Sequence, residues 1–447
     1  MDLPFSFKHR LLLAGYELLW FMGLPLLARH PRTGPGLKKR KDQKIPPREV
    51  DVWVQAASTG EAALTAELVS AWPKDRPGAI LATTSTPQGM DILKQIELPE
   101  HLRLIRAFCP LDTTRSIDRF LRAFRPKLMV LLETELWPGI LTGCKKANIP
   151  VLILNGRMTA TSLARYLPLQ GFWQALAPTE IKALDPEQAM RFRLLFPDTD
   201  PGVIPNIKFD RNPPDQFLNY ADNPLTPLFK PQNRLIVLGS VRRQEEPLLI
   251  GVIAELLQRR PNSILALFPR HLTRVESWKL LLDGKGLKWV LRSAIKGQVK
   301  QGTVILWDTF GELLPAYSLA GCAFVGGSLA RLGGQNFLEP LSQGVVPCIG
   351  PFWNNFSWIG REIVDQGLVK EVHTPEELAD CLLETMKASS DREKIQAEFA
   401  GYIKTRQGGA RQSVETILSW LDKDRPAGDD TGYLNHPHDD KKLSGLP

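Results

Sequence analysis

The sequence predicts an α/β protein with two doubly wound parallel-sheet domains and an apolar helix ahead of the first. Three observations carry that expectation. From about residue 50, short apolar runs of strand length alternate with helical patterns, as parallel βαβ units require. The alternation stops over 211–231, a stretch rich in Pro, Asn and Asp without a sustained period, and then restarts. The chain is 447 residues long, enough for two buried cores at ordinary domain size.

The first element is residues 11–28, LLLAGYELLWFMGLPLLA, apolar except for Glu17. It is short for a bilayer span and is interrupted by Pro25. Tyr16 and Trp20 suit a membrane interface. The cluster Lys38-Lys39-Arg40-Lys41 follows, and anionic cytoplasmic lipid attracts such a cluster by about 1 kcal/mol per side chain. The segment therefore reads first as an anchor at the cytoplasmic face of a membrane, either a short span or an in-plane helix. A packed helix of the first domain and a secretory signal are the alternatives. The signal lacks a small-x-small cleavage site after the apolar run.

In the first domain, residues 50–57, 79–85, 127–133 and 151–155 read as strands, and 62–72, 112–124 and 139–148 as helices. After the break, 234–240, 263–269, 303–308, 322–328 and 345–350 read as strands. Residues 246–258, a segment opening at 338, and 375–421 read as helical. The expected organisation is an anchor and basic linker over 1–45, a first domain over 46–212, a linker over 213–231, a second domain over 232–421 and a polar, disordered tail over 422–447. Two such domains facing one another would leave a cleft at the carboxyl ends of their strands, where open α/β sheets bind ligands.

Composition excludes several classes. With 43% hydrophobic and 23% charged residues, the chain is neither mainly disordered, nor a coiled coil, nor a polytopic membrane protein. Of the net charge of +8, residues 1–50 hold ten basic and four acidic side chains, so the remainder is nearly neutral and nucleic acid is not an expected partner. Five cysteines are scattered with no CxxC spacing, which argues against a disulfide framework and for a reducing compartment. There is no GxxxxGK[ST], no GxGxxG after the first strand and no HExxH, and the seven histidines form no metal set.

Candidate chemistry lies where strands end. Ser58-Thr59-Gly60-Glu61 follows the first strand, so Glu61 could take a proton from a hydroxyl at a cleft edge; the plain alternative is a capping box. Glu133-Thr134-Glu135-Leu136-Trp137-Pro138 follows a wholly apolar strand. In an extended segment Glu133 and Glu135 would share a face; helix-dipole complementation is the alternative. Arg157 could meet a phosphate or form a surface ion pair. Lys208, in Lys208-Phe209-Asp210, could neutralise developing negative charge, or be a solvated surface lysine. In the second half, Pro269-Arg270-His271, Asp308-Thr309-Phe310-Gly311-Glu312, Gly326-Gly327-Ser328 and Gly333-Gly334-Gln335-Asn336 all lie at strand ends. Glycines let backbone amides approach a phosphate, and Glu339 could bind a ribose diol. Turn chemistry and capping are the alternatives for each.

In order, ASTGE, ETELWP, NGRMTATS, KFD, PRH, DTFGEL, AFVGGSLARLGGQNFLEP and GPFWNNF give a chain that resembles the bacterial 3-deoxy-D-manno-octulosonic acid (Kdo) transferases, up to about residue 421. The resemblance implies a GT-B architecture of two Rossmann-like domains and inverting transfer of Kdo from CMP-Kdo to a lipid A precursor. It implies no required metal, and a place on the cytoplasmic face of the cell inner membrane. It implies that Glu61 is the catalytic base and that Glu133 and Lys208 help to stabilise the transition state. It further implies that Pro269, Arg270, Phe310, Gly311, Glu312, Asn336, Phe337, Leu338 and Glu339 hold the CMP portion. The chain departs from the family pattern at Gln55, where His is usual, at Ile204-Pro205, at Val241-Arg242-Arg243-Gln244 and at Gln335. A paralogue with another donor, a non-catalytic glycolipid-binding protein of the same fold, and a sugar-nucleotide epimerase are the alternatives. The anchor argues against the epimerase, whose soluble substrate needs no membrane.

Overall fold

The computed structural model describes residues 5–29, 34–43, 46–211, 218–230, 234–387 and 391–423. The chain divides into two compact units, Met1–Arg211 with Gly408–Pro447, and Asn212–Gln407. Among the described residues each unit holds a seven-stranded parallel sheet.

The first unit opens with helices Phe7–Arg29 and Gly34–Asp42. Its strands are β1 (Val52–Ala56), β2 (Gly78–Thr84), β3 (Leu102–Phe108), β4 (Leu128–Leu132), β5 (Val151–Gly156), β6 (Glu180–Ala183) and β7 (Gly202–Val203). Their order across the sheet is β3-β2-β1-β4-β5-β6-β7. Every residue of β1, β4 and β5 is buried, because helices cover both faces of a parallel sheet; hence their unbroken apolar runs. The crossover helices start where side chains bond to the free N–H groups of the first turn: Ser58, Thr86, Thr113 and Asp185 each accept from an amide three residues on.

The second unit repeats the plan with β8 (Arg234–Val241), β9 (Ser263–Pro269), β10 (Trp289–Leu291), β11 (Val304–Leu306), β12 (Ala320–Val325), β13 (Pro347–Ile349) and β14 (Lys370–Glu371). The order is β10-β11-β9-β8-β12-β13-β14. Each sheet therefore winds outward from one central strand and then crosses back to that strand's other side. The switch falls between β1 and β4 in the first unit and between β8 and β12 in the second. Loops leaving those paired strands lie side by side, at the place where such sheets gather ligand-binding groups.

Three expectations need correction. The last helix, Gly409–Lys423, belongs to the first unit rather than the second. Its Ala410, Val414 and Ile417 join the core formed by Val52, Val54, Leu64 and Leu68. Asp210 fixes its start by accepting from the amides of Gly408 and Ala410 at 2.7 Å each. The stretch read as a linker holds packed structure where described: Leu225, Leu228 and Phe229 are buried within the second unit, and residues 212–217 and 231–233 lie outside the described set. The basic cluster after the apolar segment lies on a helix, not a linker. There Arg40 is buried and donates to the carbonyls of Cys109 and Pro110, whereas Lys38 and Lys39 are exposed. Of the tail expected from 422, all but Asp422 and Lys423 lies outside the described residues.

Candidate active site

At the β1/β4 switch the structure gathers residues far apart in sequence. Glu61 lies in the first turn of helix Thr59–Ser70 and is 7% exposed. It takes part in a variant of the capping box that the spacing allowed, its carboxylate reaching the amide one residue before the cap. One carboxylate oxygen accepts from the Ala57 amide at 2.5 Å and the other from the Ser58 hydroxyl at 3.0 Å, while Ser58 Oγ accepts from the Glu61 amide at 3.3 Å. Burial pushes the Glu61 carboxyl above its ordinary pKa and the charge of Glu133 adds to this; the donors at Ala57 and Ser58 oppose it.

Glu133 follows β4 with φ of 57°, a left-handed conformation that breaks the extended alternation expected for Glu133 and Glu135. The turn directs Glu133 to Lys208, whose Nζ donates to Oε1 at 2.7 Å, both side chains being about one-fifth exposed. Lys208 is set by the end of β5. Asn155, fully buried and also at φ of 57°, accepts from the Ile207 amide at 3.0 Å, and Asn206 accepts from the Lys208 amide at 3.0 Å. Phe209 is buried and Asp210 caps the last helix, so KFD combines one functional candidate with two structural residues.

Glu135 is the group the sequence reading did not carry forward. Its carboxylate accepts from the Trp137 indole N–H. Burial pushes it up to about 7, the charges of Glu61 and Glu133 add, and the indole opposes. The motif was legible, but the burial that sets Glu135 apart was not. Arg157, just past β5, makes no ion pair among the described residues.

In the second unit the switch is organised by Glu245, which is fully buried. Its carboxylate accepts from the amides of Gly327 (2.6 Å), Ser328 (3.0 Å), Leu329 (3.0 Å) and Arg242 (3.1 Å). It thus ties the loop after β8 to the loop after β12. Gly327 has φ of 74°, a region that glycine enters without Cβ strain. Pro269 ends β9 and is buried, and Arg270 follows, exposed. Arg270 Nε donates to Gln335 Oε1 at 3.1 Å, Asn336 Nδ2 donates to Glu339 Oε1 at 3.0 Å, and the Leu338 amide donates to Asn336 Oδ1 at 3.2 Å. Burial raises the Glu339 carboxyl, against the pull of Asn336 and the charge of Arg270. The structure therefore brings Arg270, Gln335, Asn336 and Glu339 together. Phe337 and Leu338 are buried beneath them, which gives them a packing role.

Phe310, Gly311 and Glu312 follow β11, the strand next to β9. Phe310 is 78% exposed. Glu312 pairs with Arg292 at 2.7 Å and accepts from Trp307 and Thr309 at 2.8 Å each. Burial works to raise its pKa, but these three donors outweigh it and hold the carboxyl below its ordinary range. Glu312 thus fixes the loop and leaves Phe310 standing free of it. Of the departures, Gln55 is fully buried in β1, accepting from Thr83 at 2.5 Å, whereas Gln335 sits beside Arg270 in the cluster itself.

Two parallel α/β units, with carboxylates gathered at one switch point and glycine loops at the other, give this chain the GT-B architecture found among glycosyltransferases. A glycosyltransferase from Rickettsia africae of known structure shares that fold, with 12% identity over 84% of this chain and 99% of that one and a TM-score of 0.51. The family profile described as 3-deoxy-D-manno-octulosonic-acid transferase (kdotransferase) matches residues 29–211. The 3-deoxy-D-manno-octulosonic acid transferase of Haemophilus influenzae is 30% identical over 432 residues, covering 94% of this chain and 99% of that protein. The Bordetella pertussis protein of the same name is 28% identical over 84% of this chain and 88% of its own length. The chain belongs to the Kdo transferase family.

Proposed function

We propose that the protein transfers Kdo from CMP-Kdo to a lipid A precursor, with inversion at the anomeric carbon, at the cytoplasmic face of the inner membrane. The observation that supports this most is the Glu61–Glu133–Glu135–Lys208 cluster at the β1/β4 switch. It combines a buried carboxyl of raised proton affinity with a lysine already balanced by a second carboxylate.

Glu61 accepts the proton of an acceptor hydroxyl. The hydroxyl oxygen forms a bond to the donor's anomeric carbon as the bond from that carbon to the CMP phosphate oxygen breaks, and CMP leaves with the electron pair. Lys208, held by Glu133, offsets negative charge as it develops. In the second unit, Pro269, Arg270, the Phe310–Gly311–Glu312 loop, Asn336 and Glu339 hold the CMP portion over the packed Phe337 and Leu338: Arg270 meets phosphate, the exposed Phe310 ring offers a face for the base, and Glu339 accepts from the ribose hydroxyls.

The test is mass analysis of a lipid A precursor after incubation with CMP-Kdo and the full-length protein. Addition of Kdo by the wild type, and its loss in Glu61→Gln with CMP affinity kept, is the expected result. Well-folded wild type that binds glycolipid but adds no sugar from any CMP donor would sink the assignment and favour a binding protein. A second reading has its own observation. Glu135, pushed up to about 7, has a proton affinity suited to a base at neutral pH; on this reading Glu135→Gln abolishes transfer where Glu61→Gln only slows it.

A further inference from the structure

The helix Phe7–Arg29 is laid along the first unit by a narrow inner stripe. Tyr16 donates to Asp112 at 2.8 Å. Glu17, the single charge within 11–28, accepts from the amide and the hydroxyl of Thr114 at 2.5 and 2.6 Å. The His9 ring stands edge-on to Phe172, 6.1 Å between centroids, and Leu13 packs on the core. The outer face carries Phe7, Leu11, Leu19, Phe21, Met22 and Leu26, each more than three-fifths exposed. A helix bound to its own domain over successive turns, with its one interior charge spent in that contact, presents the other side to a hydrocarbon boundary lying parallel to it.

Next to the Glu17 contact, the helix Thr114–Phe124 carries Arg115, Ser116, Arg119 and Arg122. With Arg40 and the Pro110–Leu111 segment they line a cavity of about 400 Å³. Arg115, Arg119 and Arg122 are exposed, and none is paired with a carboxylate among the described residues. Arg40 is buried and gives two N–H groups to main-chain carbonyls. Of the four guanidinium groups around the cavity, that of Arg40 is offset by the charge of Asp112; the three exposed ones repel one another, and an anion resolves that repulsion by taking several of their N–H donors at once. Its place beside an apolar helix face left exposed among the described residues says where the anion comes from.

We propose that this pocket is a site for the phosphate of an anionic phospholipid headgroup, and that the outer face of Phe7–Arg29 enters the same leaflet in the bilayer plane. The proposal rests on the membrane-surface part of the functional reading, not on the sugar transferred. The two parts act as two signals, buried apolar area and headgroup charge, which together hold a protein at a surface.

The test is flotation of the full-length protein with vesicles of phosphatidylcholine alone or with phosphatidylglycerol added, at fixed ionic strength. Wild type is expected to prefer the phosphatidylglycerol vesicles strongly. Each arginine near the surface is worth about fivefold in partition, so Arg115→Gln/Arg119→Gln/Arg122→Gln is expected to lose about a hundredfold on anionic vesicles and little on neutral ones. Lys285→Gln/Lys296→Gln/Lys300→Gln, which removes the same charge from exposed sites in the second unit, is expected to lose nothing. Phe21→Ser/Met22→Ser is expected to weaken binding to both vesicles alike. The pocket is refuted if the arginine variant floats like wild type or if the lysine variant falls equally. Competition by millimolar inorganic phosphate that the arginine variant lacks would assign the site to a soluble anion and overturn the lipid. Wild type that binds no vesicle overturns the membrane reading, while CMP-Kdo transfer, measured separately with detergent-dispersed acceptor, stands or falls on its own.

Discussion

Replacing Glu135 by Gln is expected to make the protein more stable at pH 8 and to change little at pH 4. The carboxyl of Glu135 rises from 4.5 to about 7 on folding, chiefly through burial and then through the charges of Glu61 and Glu133. For an acid whose pKa is raised in the folded state, the unfolded chain releases the proton first as pH rises. Its contribution to stability is therefore complete below about 4.5 and is lost as pH climbs to about 7. The full shift corresponds to a ceiling of about 3 kcal/mol. Three neighbouring carboxyls share the effect, and partial solvent contact screens it, so the expected gain for the variant at pH 8 is about 1–3 kcal/mol. The amide oxygen of Gln keeps the bond from the Trp137 indole, so the comparison isolates the charge. Urea midpoints of the first unit, followed by pulse proteolysis at pH 4 and pH 8, measure the difference. An equal effect at both values, or a wild type that gains stability between pH 4.5 and 7 relative to the variant, would refute the reasoning.

Other outcomes follow from the same contacts. Lys208→Met is expected to lower kcat for Kdo transfer by about 10²–10³, with Lys208→Arg retaining part of the rate, as removal of a preorganised charge-stabilising donor does elsewhere; single-turnover transfer measures it. Asp210→Ala is expected to cost about 1–3 kcal/mol in the first unit alone, because two amides at the start of the last helix lose a carboxylate acceptor. Limited proteolysis near residue 408 reads that loosening. Glu245→Gln leaves one oxygen and a donor where four amides converge, at a cost of about 3 kcal/mol or more. Calorimetry is expected to show a CMP affinity at least tenfold weaker.

How much of this was legible in the sequence follows from what each element depends on. β1, β4, β8 and β9 could be read because a strand covered on both faces is apolar throughout. β3, an edge strand in which only Leu102 and Leu104 are buried, leaves no unbroken apolar run to read. The helix Gly409–Lys423 was found, but its unit was not, because an apolar stripe states that a helix packs and not against what. The turn at Glu133 escaped because a left-handed residue without glycine leaves no compositional mark. Glu245 was noted only as part of an altered stretch, since nothing in GSVRRQEE distinguishes a carboxylate that will collect four amides from one in solvent.

The switch between β1 and β4 explains why Glu61 and Glu133, on loops far apart in sequence, lie close enough for one charge to act on the other, while Lys208 is brought to Glu133 from beyond β7 by the Asn155–Ile207 bond. A chain that winds outward from a central strand and returns on its other side places the two loops at that strand's carboxyl end together whatever their spacing. That geometry also removes the apparent choice between Glu61 as a cap and Glu61 as a base. An ionised carboxylate offers about four lone-pair sites, and the Ala57 amide and the Ser58 hydroxyl occupy two. The cap fixes the rotamer that a base needs, and its donors oppose the rise that burial and Glu133 impose, while the net direction stays upward. A carboxyl held in this way keeps a raised proton affinity in one orientation. A freely rotating surface glutamate would have neither, so the helix start contributes to the proposed chemistry as well as to the helix.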